Sequence, residues 1–267
     1  MPPAEVVERA RRAGLAALAL TDHDTIAGVP EAIKAGRRHG VRVISGCEFS
    51  VRVAWGEMHL LGYFVPPGNA EVDDFLRRAC EHRLDRARLI VEHLQAWGVD
   101  IRTEDVMREA GNAAVGRPHV ARALVRLGKV RDVHAAFDEF LGMGRRAYVE
   151  KVLPGMREVA DLVHRVGGLV SAAHLRDRIS RATLTMLKAD GLDAVEVRHP
   201  SHSPELALNA EAIARTLDLL PTGGSDWHGD QAAEAQCPLG GEAVPLAWLE
   251  ALEARRPAPG PAAPAGK

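Results

Sequence analysis

The sequence predicts an α/β fold: a parallel sheet or barrel carrying a helical insert. Three observations lead there. Apolar runs of strand length alternate with amphipathic helical segments near both ends of the chain. Between about Ala70 and Arg146 the alternation stops and the pattern is helical throughout. His, Asp and Glu residues follow the apolar runs, where parallel sheets and barrels present their functional groups.

Taken in order, Pro3–Ala13 spaces Val6, Val7 and Ala10 as a helix with Pro in its first turn, and Gly14 ends it. Leu15–Leu20 is a buried-strand run that delivers Thr21-Asp22-His23-Asp24-Thr25. Val29–His39 is a helix closed by Gly40, and Val41–Ile44 a strand that leads to Gly46-Cys47-Glu48. Val51–Val53 and Glu57–Tyr63 read as strands, the second presenting His59. The insert holds helices over Val72–Trp97, Thr103–Ala110, Arg117–Leu127 and Val130–Leu141. Alternation then resumes: helix Met156–Val166, strand Leu169–Ala173 ending at His174, helix Ile179–Ala189, and strand Ala194–Val197 ending at Arg198-His199-Pro200. Helix Pro204–Thr216 and strand Leu219–Thr222 lead to Gly224-Ser225-Asp226-Trp227-His228-Gly229. The expected organisation is a barrel from 1–69 and 147–240, an insert over 70–146 and a disordered Pro-Ala-Gly tail over 256–267.

A length of 267 residues with 46% hydrophobic content suits one large α/β domain with an insert. A formal net charge of -2 excludes a generally basic coating, so no DNA-binding patch is expected. Cys47, Cys80 and Cys237 are too few and too scattered for a disulfide framework or a CxxC zinc site, which fits a reducing cytoplasm. No apolar run approaches the roughly 20 residues of a membrane span.

His23, Glu48, His59, His174, Asp226 and His228 all follow apolar runs, although His23 and His228 lie roughly 200 residues apart. A fold that gathers strand ends would bring them together as a polynuclear metal site. Imidazole suits Zn, Fe and Mn, and a carboxylate such as Glu48 can bridge two ions. Asp22 and Asp24 flank His23; a helix-capping turn suits at least one of them, and Asp24 can alternatively support a ligand histidine. Cys47 reads as a small buried residue, with a thiolate ligand as the alternative. In the insert, Gly116-Arg117-Pro118-His119 opens a helix with Pro118 at its first position, and Arg117 with His119 would make an anion site there. His199 follows a strand and is a candidate for substrate contact. His202 reads as a loop residue, and His39, His82, His93, His134 and His164 as surface or packing residues.

The runs LALTDHDT, GCEFS, EMHLLGYF, GRPHVARALV, GGLVSAAH, EVRHPSHS and GSDWHG occur in that order from about Ala4 to Leu239. Together they resemble the PHP (polymerase and histidinol phosphatase) metallophosphoesterases, most nearly the bacterial 3',5'-nucleoside bisphosphate phosphatase and 5'-3' exoribonuclease group. The resemblance implies a distorted (β/α)7 barrel with up to three Mn, Fe or Zn ions and a helical insert. It implies that Glu48 and Asp226 serve one ion, His23 and His228 a second, and Glu48, His59 and His174 a third. It makes Arg117, His119 and His199 phosphate-binding or protonating groups, with His23, Asp226, His228 and His199 as the catalytic set. The implied reaction is attack of metal-activated hydroxide on a phosphate monoester of a nucleotide or of a short RNA 5' end. Two departures accompany it. The family's first strand, with its HxH motif, is expected to be missing here, because Met1-Pro2-Pro3-Ala4-Glu5 begins where the first helix should. The usual His-Pro is His174-Leu175. The first departure makes a non-catalytic remnant that binds metal weakly the alternative to an enzyme; an amidohydrolase-type activity is disfavoured by Arg117.

Overall fold

The computed structural model describes residues 1–111, 113–229 and 237–257. The chain divides into two compact units, one formed by Met1–Val72 with the described residues from Leu153 onward, the other by Asp73–Val152. In chain order the elements are α1 (Pro3–Arg12), β1 (Ala17–Leu20), α2 (Val29–His39), β2 (Arg42–Val53), β3 (Gly56–Tyr63), α3 (Ala70–Ala96), α4 (Thr103–Ala110), α5 (Arg117–Arg126) and α6 (Val133–Ala136). There follow α7 (Met156–Arg165), β4 (Leu169–Ala172), α8 (Arg181–Ala189), β5 (Ala194–Arg198), α9 (Pro204–Thr216), β6 (Leu220–Gly223) and α10 (Leu246–Arg255).

The first unit is built on one six-stranded sheet in sequential order, β1 to β6. β1 runs parallel to β2, and β4, β5 and β6 run parallel to one another. β3 is antiparallel to both of its neighbours, β2 and β4, so the sheet is mixed where a parallel one is expected from the sequence. Single helices cross between the parallel strands, as a crossover connection requires. Ile44, Leu61, Leu169 and Ala194 of the sheet form a buried cluster with Leu252 of α10. No helix among the described residues is long and apolar enough to cross a membrane.

Three further sequence expectations need correction. Glu48 and His59 do not follow strand ends; they sit within β2 and β3. The apolar runs 41–44 and 51–53 are one strand of 12 residues, because β2 changes partner halfway. Its residues 42–45 pair with β1, and 46–53 pair with β3. Gly46 stands at the change: a Cβ there would lie 2.8 Å from the Gly62 carbonyl oxygen and 2.8 Å from Thr21 Cγ2. A glycine that reads as a break is thus a point of close approach inside a strand.

Secondly, the helix expected over Val130–Leu141 is a short α6 followed by a π-helical turn, Phe137–Leu141. Asp132 caps α6 by accepting the Ala135 N–H at 2.8 Å. Thirdly, α10 lies beyond the expected barrel limit of 240. Its Leu249 and Leu252 pack on the sheet, and Arg255 pairs with Asp218 at 2.8 Å. The Pro-Ala-Gly tail expected to be disordered lies outside the described residues beyond Pro257.

The second unit is helical throughout. α3 to α6 bury Ile90, Leu94, Ile101, Val106, Val120, Leu124 and Leu141 in a core of their own.

Candidate metal centre

The site begins with a loop tied to a strand. After β1, the Asp24 N–H donates to the Glu48 carbonyl at 3.0 Å and the Glu48 N–H donates to the Asp22 carbonyl at 3.1 Å, which docks His23 beside Glu48. Asp24 is buried, adopts a φ of 49°, and accepts the Ser50 N–H at 3.0 Å. It therefore fastens the loop to β2. It does not cap α2, whose N-cap is Gly28. Cys47 is fully buried and its thiol points at the Asp22 carbonyl, 3.5 Å away, so the packing reading holds.

The β2–β3 register supplies the next pair. Glu48 faces Leu61 and Ser50 faces His59, so Glu48 and His59 are diagonal neighbours on one face. Glu48 Oε1 stands 2.8 Å from His59 Nδ1 and 3.2 Å from His174 Nε2, while Oε2 stands 3.5 Å from His23 Nδ1. His59 Nδ1 and His174 Nε2 are 3.3 Å apart. Three imidazoles thus converge on one buried carboxylate.

His174 leaves β4 with a φ of 29°, and Asp226 follows β6 with a φ of 47°. Positive φ at a non-glycine residue is strained, and such strain collects at functional sites. Asp226 carries two further groups to the cluster. Its carbonyl accepts His228 Nδ1–H at 2.7 Å, and its Oδ2 lies 3.6 Å from His199 Nε2. A continuous run of rings joins the groups: centroids lie 5.9 Å apart for His228–His23, 4.8 Å for His23–His59, 5.1 Å for His59–His174 and 5.3 Å for His174–His199. The structure brings together all six residues expected to bind metal, with His199 beside them.

Burial alone would raise the Glu48 pKa, but hydrogen bonds from His174 and His59 and the charge of His23 outweigh it and hold the carboxyl well below its usual range. Burial pushes His59 down, yet its bonds to Glu48 and Glu57 lift it to about 9. Asp226 is lowered despite its burial by the neighbouring His199 and His228.

Glu196 was not anticipated. It sits within β5, is buried, and accepts the His174 backbone N–H at 2.7 Å. Burial, reinforced by the charges of Asp226 and Glu48, pushes it up to about 8 against the His174 bond. Its signal in the sequence is an acid between two valines of an otherwise apolar strand. His202, expected to be a loop residue, packs its ring 5.5 Å from His199 and donates from Nδ1 to the Val197 carbonyl at 3.0 Å.

Arg117 and His119 belong to the second unit, and contacts inside that unit engage both. Arg117 donates to the Leu141 carbonyl at 3.2 Å and lies over the Phe137 and Tyr148 rings. His119 Nδ1 accepts the Gly116 N–H at 3.0 Å. α5 starts at Arg117, so Pro118 occupies the second helical position, one later than expected.

The donor set fits a divalent metal. One ligand atom each from His23, Glu48 and His59 lie within 4.8 Å of one another. Imidazole nitrogens grouped about a carboxylate are the ligand chemistry of Zn, Mn and Fe.

Comparison with known proteins identifies the family. The PHP domain family model matches residues 1–219. The chain is 32% identical to the 5'-3' exoribonuclease Rnm of Salmonella typhimurium, over 85% of this chain and 80% of that protein. It is also 32% identical to the 3',5'-nucleoside bisphosphate phosphatase of Chromobacterium violaceum, over 85% of this chain and 82% of that protein. A solved structure from Bifidobacterium adolescentis, assigned as a metal-dependent phosphoesterase, superposes with a TM-score of 0.83 at 32% identity, covering 95% of this chain and 90% of that one. With the family model spanning most of the chain and its strands gathering the His, Asp and Glu cluster, this protein belongs to the PHP domain family.

Proposed function

We propose that the protein is a metal-dependent phosphoesterase that hydrolyses a phosphate monoester of a 3',5'-nucleoside bisphosphate or of an RNA 5' end. The observation that carries this reading is the convergence of His23, His59 and His174 on the single carboxylate of Glu48. The names of the relatives narrow the substrate to a phosphorylated nucleotide or RNA.

In this reading Glu48 would hold the metal together with His23, His59, His174, Asp226 and His228. Divalent ions held by these residues would supply an activated water and neutralise a phosphoryl oxygen. The surrounding histidines hold the Glu48 carboxyl well below its usual range, so it remains a carboxylate despite its burial. Asp226 positions His228 through its carbonyl and faces His199 through its carboxylate. Arg117 and His119, at the N-terminus of α5, take the role of a phosphate clamp; the carbonyl and ring contacts of Arg117 pre-set its guanidinium. The six-stranded sheet is read as part of a distorted (β/α)7 barrel, with 70–146 as its insert.

The test is Mn-dependent release of phosphate from adenosine 3',5'-bisphosphate, run alongside metal analysis of the purified protein. Metal binding with phosphate release supports the reading. A protein that takes up metal but leaves this substrate and 5'-phosphorylated RNA untouched would refute it.

A further inference from the structure

Backbone hydrogen bonds decide the proton position on several of these histidines, and His199 differs from His228. A backbone N–H only donates and a backbone carbonyl only accepts. A histidine whose Nδ1 meets either group therefore has its tautomer fixed. His228 Nδ1 faces the Asp226 carbonyl at 2.7 Å, so Nδ1 carries the proton and Nε2 keeps its lone pair. That is the arrangement expected of a metal-ligating histidine. His202 is set the same way: Nδ1–H donates to the Val197 carbonyl, and Nε2 accepts the Arg176 N–H at 3.3 Å.

His199 is set the opposite way. Its Nδ1 accepts the Ser201 backbone N–H at 3.1 Å. With that lone pair engaged, the Ser201 hydroxyl, 2.7 Å away, must also donate to it. The ring proton is then on Nε2. The residue is only 5% exposed, and among the described residues Nε2 is buried without a hydrogen-bond partner. It stands 3.6 Å from Asp226 Oδ2, inside the cluster. A buried donor left unsatisfied costs stability, which a bound acceptor would recover. An N–H directed into a site repels a cation and attracts an anion.

We propose that Ser201 is a positioning residue that holds His199 in the Nε2–H tautomer, so that His199 offers a fixed hydrogen-bond donor to a phosphoryl oxygen bound beside Asp226. In that tautomer His199 is neither a metal ligand nor a base through Nε2. The identity of the anion rests on the phosphoesterase reading; the tautomer does not. His119 in the second unit repeats the device, its Nδ1 accepting the Gly116 N–H at 3.0 Å. His199 and His119 thus share one tautomer, and His228 has the other.

The experiment is long-range proton–nitrogen NMR on the full chain, labelled with 15N-histidine and loaded with Zn2+, the His199 signals being assigned by their loss in His199→Gln. The expected pattern for His199 is that of the Nε2–H tautomer, and its Nε2 proton should shift when inorganic phosphate is added. A Nδ1–H pattern, or a Nε2 proton indifferent to phosphate, would overturn the proposal. Ser201→Ala removes one of two donors from an exposed position; kcat should fall about fivefold, the loss typical of one hydrogen bond, and Ser201→Thr should restore it. An unchanged kcat together with an unchanged Nδ1 signal in Ser201→Ala would remove the role of Ser201. If the wild-type chain releases no phosphate, the functional reading fails while the spectrum still decides the tautomer.

Discussion

Glu196 Oε2 accepts the backbone N–H of His174 at 2.7 Å, at the point where His174 takes up its φ of 29°. The bond anchors a strained residue that in turn points its ring at Glu48. Replacing Glu196 by Leu would leave that N–H buried without its acceptor. Metal affinity is expected to fall about 10- to 100-fold, the usual loss when a group that orients a ligand is removed. Glu196→Gln keeps an acceptor and should stay close to wild type. Metal titration of both variants checks this; equal affinities in Leu and Gln variants would show that the bond does not position His174.

Glu48 is the hub of the cluster, so Glu48→Gln should abolish both metal loading and phosphate release. Gln preserves the volume but loses the charge that three imidazoles surround. His93, exposed on α3, serves as the control, and His93→Ala should leave metal content and turnover within error of wild type. Near-normal turnover in Glu48→Gln would refute the bridging role.

A pH dependence of stability is expected from His164 and Asp193. His164 Nε2 lies 2.7 Å from Asp193 Oδ2, which also accepts the Val170 N–H at 2.8 Å. The Asp193 bond raises the His164 pKa in the folded protein. Folding therefore favours the protonated ring. The stabilisation, of the order of 1 kcal/mol for a partly exposed pair, is complete below the unfolded histidine value of about 6.5. It is lost as pH rises through the higher folded value. Urea unfolding across this range should show stability falling with pH, and His164→Gln should flatten the slope; identical slopes in the two proteins would exclude the pair as its source.

Gly46→Ala tests the strand that changes partner. The added methyl would press on the Gly62 carbonyl and on Thr21, and backbone cannot yield as a flexible side chain can. The expected cost is about 1–3 kcal/mol, the usual range for overpacking, read as a lowered thermal midpoint. A midpoint within a degree of wild type would show that β1 and β3 can part at this point without loss.

Much of this was legible in the sequence because it depends on periodicity. α2, α4 and α9 have the residue limits that spacing and terminal glycine or proline predict. The residues of the metal cluster were legible as His, Asp and Glu beside apolar runs. Their placement was less so. Glu48 and His59 looked terminal because Gly46 resembles a break, and only the pairing of β2 with two partners shows otherwise. Glu196 is not legible, because an acid among valines gives no local sign of the backbone amide it will meet. α10 stands between prolines after a stretch that reads as the end of the fold, so its packing on the sheet comes from tertiary contact.

The hairpin joining β2 to β3 closes through Ala54 and Trp55, with Gly56 at a φ of 116°. The turn carries none of the cluster residues, yet it acts as the ruler of the centre. It fixes how far β3 slides along β2, and a slip of one residue sends every side chain of a strand to the opposite face. A change in this turn that slipped the register by one residue would aim His59 away from Glu48 while leaving each of them unmutated. The centre therefore depends on the pairing register of β2 and β3 as much as on the identity of the two residues it brings together.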